Sequence, residues 1–169
     1  MAAEDTIFDT STVKYTGIFS FSDFYAFCYG WIMSEIEPNE FGESGYSEKT
    51  PPAGKEIDIT WTFRKKFTNY IAFTGTVIFK TIKMKTIEIE ENGEKVKKNQ
   101  GEVVLKLKGN IVTDYLNHFD NSEALQKWRG IYNKWIIKSR VDKFEGRIDD
   151  FCTRFMNDAK AFLETEGKR

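Results

Sequence analysis

From Lys55 onward, apolar and polar positions alternate one for one. Ile57, Ile59, Trp61 and Phe63 share one side, and Asp58, Thr60, Thr62 and Arg64 share the other. A period of two marks a half-buried β-strand. After a turn near residues 66–69, a second strand runs from Tyr70 to Met84, with Ile71, Phe73, Val77 and Phe79 on one face. Gly75 interrupts that face and predicts a bend or bulge. Ile87 and Ile89 alternate with Glu88 and Glu90, and Asn92-Gly93 follows. Asn-Gly between alternating segments is a hairpin signal, because both central residues must accept positive φ. The strand Glu102–Asp114 closes the series with Val103, Leu105, Leu107 and Ile111 inward.

Upstream, Val13–Phe21 reads as a first strand preceded by a polar arm, Met1–Thr12, and Phe41–Thr50 as a short edge strand ending at Pro51, Pro52 and Gly54. Between them the period lengthens. Ser20 or Ser22 with Asp23 caps a helix that extends to about Ile36, carrying Phe24, Phe27, Cys28, Trp31 and Ile32 at helical spacing. Tyr25, Tyr29 and Met33 partly fill its other side, so burial on more than one side is expected. Past Asp120, which forms a capping-box pattern with Glu123, one stripe comprises Leu125, Trp128, Ile131, Tyr132 and Trp135. A longer one follows: Ile137, Val141, Phe144, Ile148, Phe151, Phe155, Ala159 and Phe162. These elements predict an α+β chain in one domain, 1–169. A curved antiparallel sheet packs against a long C-terminal helix, with one early helix and one additional helix before the last. The domain divides into the arm, a first strand, helix and sheet over 13–116, and C-terminal helices over 120–166. The stripe of Val141, Phe144, Ile148, Phe151 and Phe155 is expected to lie on the sheet face bearing Trp61, Phe63, Phe73 and Leu105.

Composition sharpens this picture at two points. Fifteen Phe, seven Tyr and four Trp among 169 residues imply a thick core, an apolar cavity or an interface. Charge is divided along the chain: net −8 over residues 1–60, +6 over 61–108 and +1 over 109–169. An acidic third and a basic third can neutralise each other or present complementary surfaces to other copies.

Catalytic chemistry is scarce. The two cysteines, Cys28 and Cys152, lie in apolar helical patterns where thiolates are disfavoured. No CxxC spacing or His/Cys cluster suggests zinc. The single histidine, His118, falls in a connection, and the acids fall in polar connections or on outward strand faces rather than in the core. No glycine-rich phosphate loop is present, and no cofactor is expected. The lysines of the sheet region could track a phosphate backbone, but the chain is net acidic, so nucleic acid is not the expected partner. The longest apolar run, Phe24–Met33, is about half the ~20 residues of a membrane span. The first residues lack the basic and apolar regions of a secretory signal, so a cytoplasmic or virion-like intracellular setting is expected.

The order of elements over Val13–Leu163 resembles that of the helix-grip domains, the START and Bet v 1-like superfamily. The resemblance implies a curved sheet gripping the last helix, and an apolar cavity between them for lipids, hormones or other hydrophobic molecules. The chain departs from that pattern in having one early helix rather than two short ones, and in the extra helix Ser122–Trp135.

Two functions follow as expectations. One is a non-enzymatic structural or assembly subunit, a homo-oligomer or larger particle, tube or filament. Its candidate interface residues are Lys95, Lys97 and Lys98 on the basic side and Glu35, Glu37, Glu40 and Glu43 on the acidic side. The alternative is a carrier with a hydrophobic ligand. Its cavity or core would be lined by Phe24, Phe27, Trp31, Trp61, Phe63, Phe73, Phe144, Phe151 and Phe155.

Overall fold

Five strands form one open antiparallel sheet, β1 Ala3–Phe19, β2 Glu40–Lys49, β3 Glu56–Lys66, β4 Ile71–Glu91 and β5 Glu94–Thr113, in the order β1-β5-β4-β3-β2. The structure is a computed structural model that describes residues 3–113, 123–131 and 138–167. Among the described residues three helices complete it: α1 Phe21–Trp31, which continues as a π-helical turn over Ile32–Ile36, then α2 Glu123–Ile131 and α3 Lys138–Gly167. The α+β architecture, with sheet against C-terminal helix, matches the periodicity.

Successive strands β2 to β5 are joined as hairpins, while α1 carries the chain from one sheet edge, β1, to the other, β2. Ser20 is the N-cap of α1, its Oγ accepting from the Asp23 N–H at 3.4 Å. Glu37 ends the π-helical turn in the left-handed conformation at φ 53°, its N–H donating to Ile32 O at 3.1 Å. The Asn92-Gly93 turn has positive φ at both residues (54° and 81°), as the hairpin signal requires.

Register aligns the inward residues in rows across the sheet. Ile59 faces Phe79, which faces Leu105, which faces Val13. The neighbouring row reads Trp61, Val77, Leu107, Ser11, and the next Phe63, Gly75, Gly109, Phe8. α1, the π-helical turn and α3 lie over this face, α3 against β1 and β5 as well as α1.

Several expectations require correction. Residues 3–12 are not a polar arm: they are the first half of β1, paired with β5 from Ala3↔Thr113 onward, and Ile7 and Phe8 pack on the core. Strand register reads across the sheet, so a stretch polar in sequence can still be a strand when its partner supplies the hydrogen bonds. Gly75 is neither bend nor bulge, since its pairing to Phe63 and Gly109 is uninterrupted. A Cβ there would stand 2.2 Å from Phe63 Cζ, and one at Gly109 would stand 2.9 Å from Cys152 Sγ. The glycines make the shallow track in which the Phe63 ring and α3 sit on the sheet. The actual bulge lies between Ile82 and Lys85, where Lys83 takes φ 52° and Met84 bridges Lys55. β4 and β5 therefore continue as a hairpin through 85–99 rather than ending near Met84.

Candidate functional site

The rings go mainly into a filled core. Phe24, Trp31, Trp61, Phe63, Phe73, Phe151 and Phe155 are buried, while Phe27 and Phe144 are half-buried against them. They divide into two clusters. Under α1, Trp61 lies edge-on to Phe79 (4.6 Å), Tyr25 (4.8 Å) and Phe41 (5.2 Å), and its Nε1 donates to Tyr25 Oη at 3.3 Å. Under α3, Phe151 stacks on Phe73 at 6.5 Å, Phe155 meets Trp31 at 5.2 Å, and Phe144 stacks on Phe67 at 4.5 Å. The α3 stripe thus lies on the sheet at Phe73 as expected, whereas the Trp61 face belongs to α1. The seam between Phe63, Phe73 and Leu107 of the sheet and Phe151 and Phe155 of α3 has no void that admits a water molecule.

Burial raises both thiols: Cys152 is pushed up to about 12, with Asp149 adding to it, and Cys28 is raised further by burial alone. Each is a protonated core side chain at neutral pH.

The charged candidates are less available than their exposure in sequence suggests. Lys98 is not a surface residue: it is buried at 9% exposure and its Nζ meets Glu166 Oε2 at 2.9 Å, beneath the end of α3. The Glu166 side chain is 8% exposed, so one acid does stand in the interior, contrary to the sequence reading. A buried carboxylate is tolerated when an ammonium partner lies within hydrogen-bond reach, and only the fold shows that partner. Lys95 and Lys97 are exposed, yet the hairpin register sets them opposite Glu90 and Glu88. On the acidic side, Glu35 meets Arg154 at 3.4 Å, Glu43 accepts from Tyr25 Oη at 3.4 Å, and the Glu37 carbonyl accepts from Lys65 Nζ at 3.3 Å. Glu40 lies opposite Arg64 on the edge strand. The acidic and basic candidates are not brought together; Lys98, Glu35 and Glu43 have local side-chain partners, while Lys95, Lys97, Glu37 and Glu40 make no ion pair among the described residues.

Two surface features emerge only in the fold. The first is a groove of about 440 Å³ between α1 and α3, walled by Phe27, Trp31 and Phe162. Trp31 Nε1 donates to Asp158 Oδ2 there at 2.8 Å, and the Arg154 guanidinium covers the Trp31 ring at 5.7 Å. The second is α2, against which no other described element packs extensively. Its Ala124, Trp128 and Ile131 recur at i, i+4 and i+7, and all three face solvent, Trp128 at 55% and Ile131 at 48% exposure. Glu123 and Lys127 flank them, also exposed. The stripe was visible in sequence, but periodicity cannot show whether an apolar face meets the chain's own core. Leu125's side chain, His118, Tyr132, Trp135 and the Asp120 capping pattern lie outside the described residues.

Among the described residues no group of three or more His, Cys, Asp or Glu side chains could hold a metal ion, and no helix is long and apolar enough to cross a membrane.

No family model matches the chain, and no curated protein matches it. A solved structure of a protein from Rhizobium leguminosarum, described as uncharacterised, aligns with 98% of this chain and 99% of that one at 11% identity and TM-score 0.24.

Proposed function

We propose that the chain is a non-enzymatic assembly subunit that binds copies of itself through α2. The observation that carries this reading is the outward-facing stripe of Ala124, Trp128 and Ile131. Isolated helices shorter than about 12–15 residues are marginal in water, and α2 has nine residues. Such a helix persists when its apolar face is covered, and paired exposed aromatic and aliphatic side chains mark interaction surfaces. The flanking charges favour a second copy as the cover. Glu123 stands at the start of α2 and Lys127 one turn on, so two antiparallel α2 helices set each acid beside the other copy's lysine. An antiparallel pair of this kind is isologous and closes as a dimer, from which larger assemblies can be built by other surfaces. The filled seam between sheet and α3 favours this reading over a hydrophobic carrier, which needs a void there.

The test is light scattering after size-exclusion chromatography at about 10–100 μM, the range in which a micromolar contact is populated. Wild type is expected as a dimer or larger, and Trp128→Glu with Ile131→Glu as a folded monomer. A wild-type monomer throughout, or a double variant that associates as wild type does, overturns the proposal.

A further inference from the structure

The outer face of the sheet, away from the helices, holds an open groove of about 460 Å³ with more polar than apolar lining: Glu4, Glu40, Arg64, Asn110 and three threonines, with Phe41 and Phe63 contributing. Register builds it as two adjacent rows. One reads Asn110, Thr74, Arg64, Glu40 across β5, β4, β3 and β2, and the other Thr76, Thr62, Gly42 across β4, β3 and β2, with Lys108 of β5 exposed at the end of that row, beside the groove rather than in its lining. Facing outward from the strands, these side chains are mostly hydrogen-bond donors: an amide, hydroxyls, a guanidinium and an ammonium. A carboxylate already sits on part of this donor set. Glu4, an exposed residue of edge strand β1, accepts from Asn110 Nδ2 at 2.6 Å and from Thr74 Oγ1 at 3.3 Å through the same oxygen, Oε1.

Two further observations show that this arrangement is incomplete. Holding Nδ2 against Glu4 turns Asn110 Oδ1 away, and that oxygen is buried without a hydrogen-bond partner. Rotating the amide would set Oδ1 against the carboxylate, so the orientation follows from the acceptor-only chemistry of Glu4. The Arg64 guanidinium lies in the same row and, among the described residues, makes no ion pair, not even with Glu40 opposite it. A rigid bidentate donor left open beside a row of hydroxyls matches a planar carboxylate.

We propose that this groove binds a small molecule bearing carboxylates, and that Glu4 occupies part of the site in the free protein as an internal competitor. The ligand's carboxylate lies between Arg64 and the hydroxyls of Thr62 and Thr74, with the Asn110 amide at its end. When Glu4 leaves, Asn110 is freed to turn. Lys108, exposed beside the groove opposite Thr76, is within the reach of a second acidic group on a longer ligand, so a dicarboxylate fits better than a monocarboxylate. The groove lies on the opposite face from the core, and this inference is independent of the assembly reading.

The test is calorimetric titration of the full chain with succinate, with acetate and inorganic phosphate at matched ionic strength. Succinate is expected to bind at least about tenfold more tightly than acetate, and phosphate more weakly than succinate, because acetate and phosphate are single compact anions that can pair with Arg64 but carry no second acidic group for Lys108. Arg64→Gln should weaken succinate at least about tenfold. Glu4→Gln should tighten it several-fold by removing the competitor, an effect that a merely structural Glu4 would not give. Both positions are on the outer face, and an unchanged circular dichroism melt confirms the fold. Absence of succinate binding at 10 mM, about the weakest affinity of interest, overturns the proposal. So does binding indifferent to Arg64→Gln, weakening by Glu4→Gln, or equal binding of phosphate, which would mark a general anion surface.

Discussion

Phe151 shows what single side chains do here. It is buried, parallel to Phe73 across the α3–sheet seam, and bordered by the guanidinium groups of Arg147 at 5.7 Å and Arg154 at 5.4 Å. Truncation leaves a cavity that the sheet cannot close, so Phe151→Ala should destabilise by about 3–5 kcal/mol. Denaturant melts measure this, and a loss below about 1 kcal/mol would mean the seam is not core. A second residue-scale effect concerns pH. Cys152 is raised to about 12 and Cys28 beyond it, and burial also raises Tyr15 and Tyr25. Each group holds its proton longer in the folded state than unfolded. Their contribution is complete below the unfolded thiol value, about 8.5, and is lost as pH rises from there towards the folded values. The denaturant midpoint should therefore fall between pH 8 and about 10.5, and fall less in Cys28→Ala/Cys152→Ala. A midpoint that rises, or a slope the double variant leaves unchanged, would contradict the burial of the thiols. Both cysteines were legible as buried from their place in helical stripes. Lys98 and Glu166 were not, because their pairing joins positions 68 apart in sequence.

Elements with strong periodicity fold as that period dictates, and the departures concentrate where pairing across the sheet decides. The alternation of β3 and the α3 stripe carries its own evidence, since each buries a face determined by its own period. β1 is different. Thr6, Asp9, Thr10, Ser11 and Thr12 look like an arm, and register shifts after Thr6 and Phe8 break what alternation there is. Only pairing to β5 reveals the strand. Gly75 was visible as an interruption, but its meaning depends on Phe63, which reaches it from the neighbouring strand. Deleting residues 2–12 tests the element directly. An arm would be dispensable, whereas loss of half of β1, with partly buried Ile7 and Phe8, should reduce stability by more than about 2 kcal/mol. It should also uncover the β5 edge and promote aggregation. An unchanged melting temperature in the truncated chain would restore the arm.

For the whole molecule, the division of charge along the chain and the arrangement of charge in space lead to different expectations of assembly. Read linearly, an acidic third and a basic third invite contacts between oppositely charged surfaces of separate copies. Folding places Lys95 and Lys97 across from Glu90 and Glu88, buries Lys98 on Glu166, and sets Arg154 against Glu35. Part of that attraction, at Lys98 and at Glu35, is thus satisfied within one chain. The large apolar side chains of α2 are not. Exposed charges are screened beyond about 8 Å at physiological salt, while burial of apolar area is not weakened by screening. Association through α2 should accordingly change less than about threefold between 0.05 and 0.5 M salt, with sulfate strengthening it. Reversing Lys95 and Lys97 to Glu should leave it intact. Sedimentation velocity across the salt series distinguishes the two routes. A many-fold weakening with salt, together with loss of association in the lysine reversals, would mean that the hairpin and not α2 holds the copies together.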